Sequence, residues 1–342
     1  MHSKIIFFSI DRLGDYLIRS NIIKCVSDKF IKKEIICSEI NHKLVSKQSF
    51  FTKTYIFNRK TKFTKFFFIK NFFLKKYDSA ICFDGKNISN IILFIIRAKF
   101  KFTFIYKKKG FVNNFFFYIY CFFLKLCKIN FAILNSREII ESGFNDHYPS
   151  KYKILNKIYN NDSHQPYYVE DLDKDSKQIN LSNFILIHLD EKFEDIEDID
   201  NLNIALKDFS KQTSRCIIVT SFNNKCKYYE NLTIPKINYK NLNTELLNNN
   251  KIIILENLCL ENFYELLKKS HINISCHAGF MTHISLYFKK NCIDILNQKD
   301  ERWINTWTTP NKNYKIILKS TPFKKYSIKE IFIMIKKLNY EI

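Results

Sequence analysis

Glycine and proline are scarce, with 5 of each in 342 residues. No G-x-x-x-x-G-K run is present, which excludes a P-loop NTPase. Ten cysteines occur, but none pairs as C-x-x-C and no His/Cys cluster has zinc-ligand spacing. They read as reduced, mostly buried thiols of a cytosolic protein. Long apolar runs are missing as well. The opening run, 5–10, ends at Asp11 and Arg12 and is too short for the core of a signal peptide. Segments 88–100 and 113–127 are strongly apolar, yet each falls short of the roughly 18–20 residues of a membrane-spanning helix.

Acidic residues are scarce in one half only. The net charge is +22, and residues 1–150 hold 27 Lys+Arg against 10 Asp+Glu, a net +17. The remainder carries 28 against 23, a net +5. A basic first half suits an anionic partner: nucleic acid, a membrane surface or an acidic substrate. No helix-turn-helix, zinc-finger or RRM aromatic signature accompanies the charge, so nucleic acid is not the expected partner. Residues 63–77 mix Phe and Lys as interfacial segments do, which suits peripheral contact with an anionic membrane.

Strands and helices alternate along the first half. Buried strands are expected at the start, at 33–39, 52–58, 77–84, 100–106 and 129–134, with helices at 14–29, 61–76, 86–98 and 112–127. Residues 145–180 are polar and hold two of the five prolines, as a linker does. The alternation restarts at 184–189 and runs through strands at 214–221, 251–257, 271–276 and 291–296. Helices are expected at 198–212, 260–270, 279–290 and 327–340. This grammar predicts an α/β fold of two parallel-sheet domains in tandem. Ligands of such sheets bind at the carboxyl ends of strands.

Three strand ends carry the chemistry. After the first strand comes Asp11-Arg12-Leu13-Gly14-Asp15. Gly14 permits a tight turn there. Asp11 is the better candidate to cap the following helix, while Asp15, in the first turn of that helix, either favours the helix N-terminus or points into a cleft as a base. In the second half, His277, Ala278 and Gly279 form a short turn between a strand and a helix, with His283 one turn further on. Such a turn exposes backbone N–H groups at a positive helix end, which suits a diphosphate. Lys192, after the strand at 184–189, can place a point charge on a phosphate or belong to a solvated charged loop.

The run FFSIDRLGDYLIRSNIIKCV resembles the opening of glycosyltransferase family 9, the heptosyltransferase-like enzymes, whose first strand leads into a D/S-x-I/L-G-D turn. ILENLCLENFYELLKKSHINISCHAGFMTHISLYFKKNCIDIL is similar to that family's donor-side segment. The resemblance implies a GT-B fold: an acceptor-side Rossmann-like domain at 1–150, a linker at 151–180, and a nucleotide-sugar-binding domain at 181–326. It implies a helix at 327–342 that packs back on the first domain, and a cleft between the two. It also implies inverting hexosyl- or heptosyl-type transfer with no metal and no cofactor, from a nucleotide sugar to a lipopolysaccharide-like or other cell-surface glycan. Asp15 would then be the general base, Asp11, Arg12 and Gly14 would line the acceptor side, and Lys192, His277, Ala278, Gly279 and His283 would hold the donor. The expected location is the cytoplasm, at the inner face of the inner membrane. The sequence departs from the pattern at His277, where the family has Asp, and by one extra residue between Gly279 and His283. A non-catalytic relative that binds a glycan or nucleotide, and a basic nucleic-acid-binding protein, stay open as alternatives.

Overall fold

The computed structural model describes residues 2–58, 70, 72–73, 75–160, 167–170, 181–189, 193, 199–221, 231–276, 279–308, 311–321 and 324–338. The chain forms two compact units: Met1–Glu170 with Arg302–Thr309, and Asp171–Glu301 with Pro310–Ile342. Most of the helix expected at 61–76 and part of the expected linker lie outside the described residues.

The first unit is built on β1 (His2–Ser9), β2 (Phe30–Ser38), β3 (Lys53–Phe57), β4 (Lys76–Cys82), β5 (Arg97–Lys107) and β6 (Asn130–Asn135). All pairings are parallel, in the order β3-β2-β1-β4-β5-β6. Ile5, Ile6, Phe7 and Phe8 are all fully buried, because a central parallel strand is covered on both faces. Ile6 and Phe8 enter a core with Ile36, Cys82, Ile105 and Leu124. Phe7 faces the other way, toward Phe51 and Phe83. From β1 the chain passes through α1 (Leu13–Ser27) to β2 on one side, and β4 later takes the other side. That divergence makes the carboxyl end of β1 a topological switch point, where ligands of open α/β sheets bind.

The residues after 147 differ from the linker expected there. Tyr148–Tyr152 and Ile154–Ile158 are short helices of the first unit, and Tyr148 and Tyr152 are fully buried. Tyr148 packs edge-on against Trp303 and Trp307, at 5.9 and 4.2 Å between ring centroids. Five-residue helices are too short to show a period, so only burial reveals them.

The second unit contains β7 (Ile185–His188), β8 (Ile217–Thr220), β9 (Lys236–Asn238), β10 (Ile252–Glu256), β11 (Ile272–Ser275), β12 (Asn291–Leu296) and β13 (Tyr314–Leu318). They pair in parallel in the order β13-β12-β11-β7-β8-β10-β9. Here the switch point lies between β7 and β11.

The C-terminal helix, Ile328–Lys336, for which packing on the first unit was expected, packs within the second unit. Ile328, Ile331, Phe332 and Ile335 form one stripe and join the second unit's own core. The helix Ile199–Gln212 offers the matching stripe, Leu202, Ala205, Leu206 and Phe209, and Phe209 stacks on Phe332 at 4.7 Å. Ser327 and Glu330 close the helix start with reciprocal bonds of 3.2 and 2.9 Å. The late stretch that does join the first unit is Arg302–Thr309. Among the described residues no helix is long and apolar enough to cross a membrane.

Candidate functional site

At the end of β1 the chain crosses Ile10, Asp11 and Arg12 before α1 begins. Asp11 is buried, and Arg19, two turns down α1, is buried with it. Arg19 Nη1 donates to Asp11 Oδ2 at 2.6 Å, and its Nε donates to the Tyr152 hydroxyl at 3.1 Å. The second oxygen of Asp11 pairs with the Lys86 ammonium, which also donates to the Ile10 carbonyl at 3.2 Å. Burial pushes the Asp11 carboxyl up, but Arg19 and Lys86 together hold it below its ordinary value. Asp11 is therefore a buried counter-ion, and the expectation that it caps α1 is corrected.

The cap comes from Asp15. Its Oδ2 accepts from the Arg12 N–H at 3.2 Å, reaching back from the third residue of the helix. Among the described residues no donor reaches its Oδ1. The carboxylate is half-buried. Burial lifts its pKa, Arg19 opposes that, the Asp11 charge adds to it, and the net direction is upward. Arg12 is exposed. Gly14 is the second residue of α1, so it is helical and does not make the turn expected of it.

The left-handed turn is at Gly85 instead, with φ of +60°. A Cβ there would lie 2.5 Å from the Phe104 carbonyl oxygen. Gly85 sits in Asp84-Gly85-Lys86, after β4, a group the sequence reading passed over. Asp84 is buried and accepts from the N–H groups of Ile10 at 3.0 Å and Lys86 at 2.9 Å and from the Ser89 hydroxyl at 2.9 Å. It thereby ties the ends of β1 and β4 together. Burial and the Asp11 charge raise its pKa to about 6. A cavity of about 740 Å³ opens beside this cluster, with Lys86, Lys108, Arg137, Tyr106 and Tyr120 in its wall.

In the second unit, Gly279 opens the helix Gly279–Tyr287 just after β11. It is exposed, and among the described residues no atom beyond its chain neighbours and its own helix backbone lies within 4 Å of where its Cβ would stand. A helix start carries backbone N–H groups without intrahelical partners. Lys192, His277 and Ala278 lie outside the described residues. His283 is buried at 4% exposure within that helix, so it packs in the unit rather than facing a ligand at its surface. His188, at the end of β7, lies with Nδ1 3.0 Å from the Thr220 hydroxyl and against the Phe263 ring. Burial lowers its pKa to about 4, so it is neutral. Among the described residues no group of His, Cys, Asp and Glu is arranged to hold a metal ion.

No family model matches the sequence. No curated protein matches it either. Solved structures do match. Escherichia coli heptosyltransferase WaaC with ADP-2-deoxy-2-fluoro heptose is similar at a TM-score of 0.66 and 10% identity, over 97% of this chain and 99% of that one. A glycosyl transferase family 9 protein from Veillonella parvula is similar at 0.63 and 8% identity, over 98% and 95%. UDP-GlcNAc 2-epimerase from Methanocaldococcus jannaschii follows at 0.55 and 13%, over 99% and 93%. The chain has the glycosyltransferase family 9, heptosyltransferase-like fold.

Within this heptosyltransferase-like fold, the expected acceptor-side residues Asp11, Arg12, Gly14 and Asp15 occupy one loop and the first helical turn at the first switch point. Gly279 opens the helix after β11, at the switch point of the second unit. The residues that sequence reasoning missed, Arg19, Asp84, Gly85 and Lys86, complete the first cluster. One signal for them was available: Asp-Gly-Lys at a strand end, holding one of only five glycines. Its place beside β1 emerges only from the strand order.

Proposed function

We propose that this chain is an inverting glycosyltransferase that moves a sugar from a nucleotide-sugar donor to a lipopolysaccharide-like or other cell-surface glycan. The observation that carries this reading is Asp15: a half-buried carboxylate at the switch point of a heptosyltransferase-like fold, with one oxygen held by Arg12 and the other undonated among the described residues. A raised pKa makes it a stronger base than an ordinary carboxylate. Asp15 takes the proton from the acceptor hydroxyl. The acceptor oxygen then attacks the anomeric carbon on the face opposite the diphosphate, whose C–O bond breaks, so the configuration inverts.

The leaving diphosphate needs positive potential. Backbone N–H groups at His277, Ala278 and Gly279, with the Lys192 ammonium, are the proposed source. This arrangement calls for no metal ion. The heptosyltransferase structures holding ADP and an ADP-heptose analogue support a nucleotide sugar as donor. The cavity bearing Lys86, Lys108 and Arg137 suits an anionic acceptor, presented on the cytoplasmic side of a membrane. A second reading, a donor-binding relative without turnover, is favoured by one feature, His277 in place of the family's acid.

The test begins with a thermal-shift screen of nucleotide sugars and proceeds to transfer by Asp15→Asn. Loss of a general base slows transfer by roughly 10²–10⁴-fold. The asparagine oxygen still accepts from Arg12, so melting should stay close to wild type. Near-wild-type transfer by the variant would sink the assignment. Donor binding with no transfer by the wild type would favour the second reading.

A further inference from the structure

We propose that the helix Phe111–Leu126 docks this chain on the surface of an anionic lipid bilayer. The helix holds to its own unit by a narrow stripe. Phe117, Cys121 and Leu124, spaced by four and three residues, are its buried side chains, and they join the core of the first unit. Tyr120 is half-buried against the same core. Most of the remaining circumference faces outward and is apolar, with Asn113, Asn114 and Lys125 as the polar exceptions. Phe111 is 87% exposed, Phe116 and Phe122 are each 63% exposed, and Phe115, Tyr118, Ile119, Phe123 and Leu126 are open as well. A contiguous apolar surface on this scale marks an interaction site. A helix of 16 residues is too short to span a bilayer. One with an apolar outer face and basic ends lies in the interfacial plane.

Charge selects the occupant. From residue 85 to residue 137 the chain has ten Lys and Arg and no Asp or Glu. Lys107, Lys108 and Lys109 precede the helix, and Lys125 and Lys128 stand at its far end. Pairing with a second copy across a two-fold axis would set like patches against each other. With the helices antiparallel, the leading lysines of one copy would meet the trailing lysines of the other, and the stretch 85–137 itself supplies no carboxylate to offset them. Anionic headgroups complement this rim, while acyl chains take the Phe side chains. The proposal goes beyond the transferase reading and does not depend on it.

The test is co-sedimentation of the full chain with vesicles of phosphatidylcholine alone and of an equal mixture of phosphatidylcholine and phosphatidylglycerol. The wild type should partition to the mixed vesicles, far less to phosphatidylcholine alone, and be released by salt. Phe115→Ser, Phe116→Ser and Phe122→Ser combined should lose roughly tenfold or more of that partition with melting unchanged, because all three side chains are exposed. Lys109→Gln, Lys125→Gln and Lys128→Gln combined should weaken binding and flatten its salt dependence, which keeps the test open if the Phe variant fails to fold. No partition by the wild type, or partition indifferent to both variants, overturns the proposal. A concentration-dependent dimer in ultracentrifugation that the Phe variant abolishes, with no vesicle binding, overturns it in favour of a second copy.

Discussion

Asp11 and Asp15 carry the same group four positions apart, yet their surroundings drive them in opposite directions. Two cations hold Asp11 ionised, while burial lifts Asp15. Environments that separate two carboxylates in this way assign them different roles. The sequence points to the right loop, because two acids and a glycine crowd one strand end. It does not reveal the roles, since Lys86 and Tyr152 reach Asp11 and Arg19 only through the fold. Asp11→Ala leaves Arg19 buried with its main partner gone, and breaking a buried pair costs about 3–5 kcal/mol. Calorimetry should show that loss, and an unchanged melting point would contradict the buried-pair account. Asp84 makes a prediction in pH. Its folded pKa of about 6 lies above the ordinary 3.8, so the folded state binds more protons between those values. Its contribution to stability therefore falls as pH rises from about 4 to about 6, by at most about 3 kcal/mol. Asp11, with a lowered pKa, works in the other sense and loses its contribution as pH falls. Urea midpoints of Asp84→Asn across this range should lack the Asp84 decline. Parallel pH profiles for the variant and wild type would refute it.

Elements were legible where one face or both faces of a chain segment are uniformly apolar. β1, β7, β10 and β12 are continuous buried runs and stand out. β13 does not, because Tyr314 and Lys315 dilute it and its pairing to β12 comes from the fold. The helix Ile328–Lys336 was visible as a helix but not in its docking, because an apolar stripe names no partner. The two informative glycines differ for a reason that only backbone geometry supplies. Gly85→Ala forces a side chain into φ of +60° and against the Phe104 carbonyl, between the ends of β4 and β5. Strain of that kind costs about 1–3 kcal/mol before the contact is counted, and thermal melting should register it. Gly279→Leu meets open space, so stability should change by no more than about 0.5 kcal/mol. Affinity for a nucleotide sugar in calorimetry should nevertheless drop, since the side chain covers the helix start. Unchanged affinity would remove Gly279 from the donor site.

At the scale of the whole molecule, the two tryptophans give an unequal view of the two units. Trp303 and Trp307 are the only tryptophans of the chain, and both fall in the stretch Arg302–Thr309 that belongs to the first unit. They stand against Tyr148, itself fully buried. Tryptophan emission thus reports on the first unit, whereas far-ultraviolet circular dichroism reports on both. Among the described residues, a core of the first unit holds Ile6, Phe8 and Leu124, and a separate core of the second holds Phe209, Phe332 and Ile335. Chains with separate cores commonly depart from a single two-state transition. Phe209→Ala removes a buried ring stacked on Phe332, which costs about 3–5 kcal/mol within the second unit. It should lower a transition seen by circular dichroism and leave the tryptophan transition in place. Asp11→Ala should do the reverse, moving the tryptophan transition through the loss around Arg19. Coincident transitions, displaced equally by both variants, would mean that the two cores melt as one cooperative body and that tryptophan emission cannot be used to follow the first unit alone.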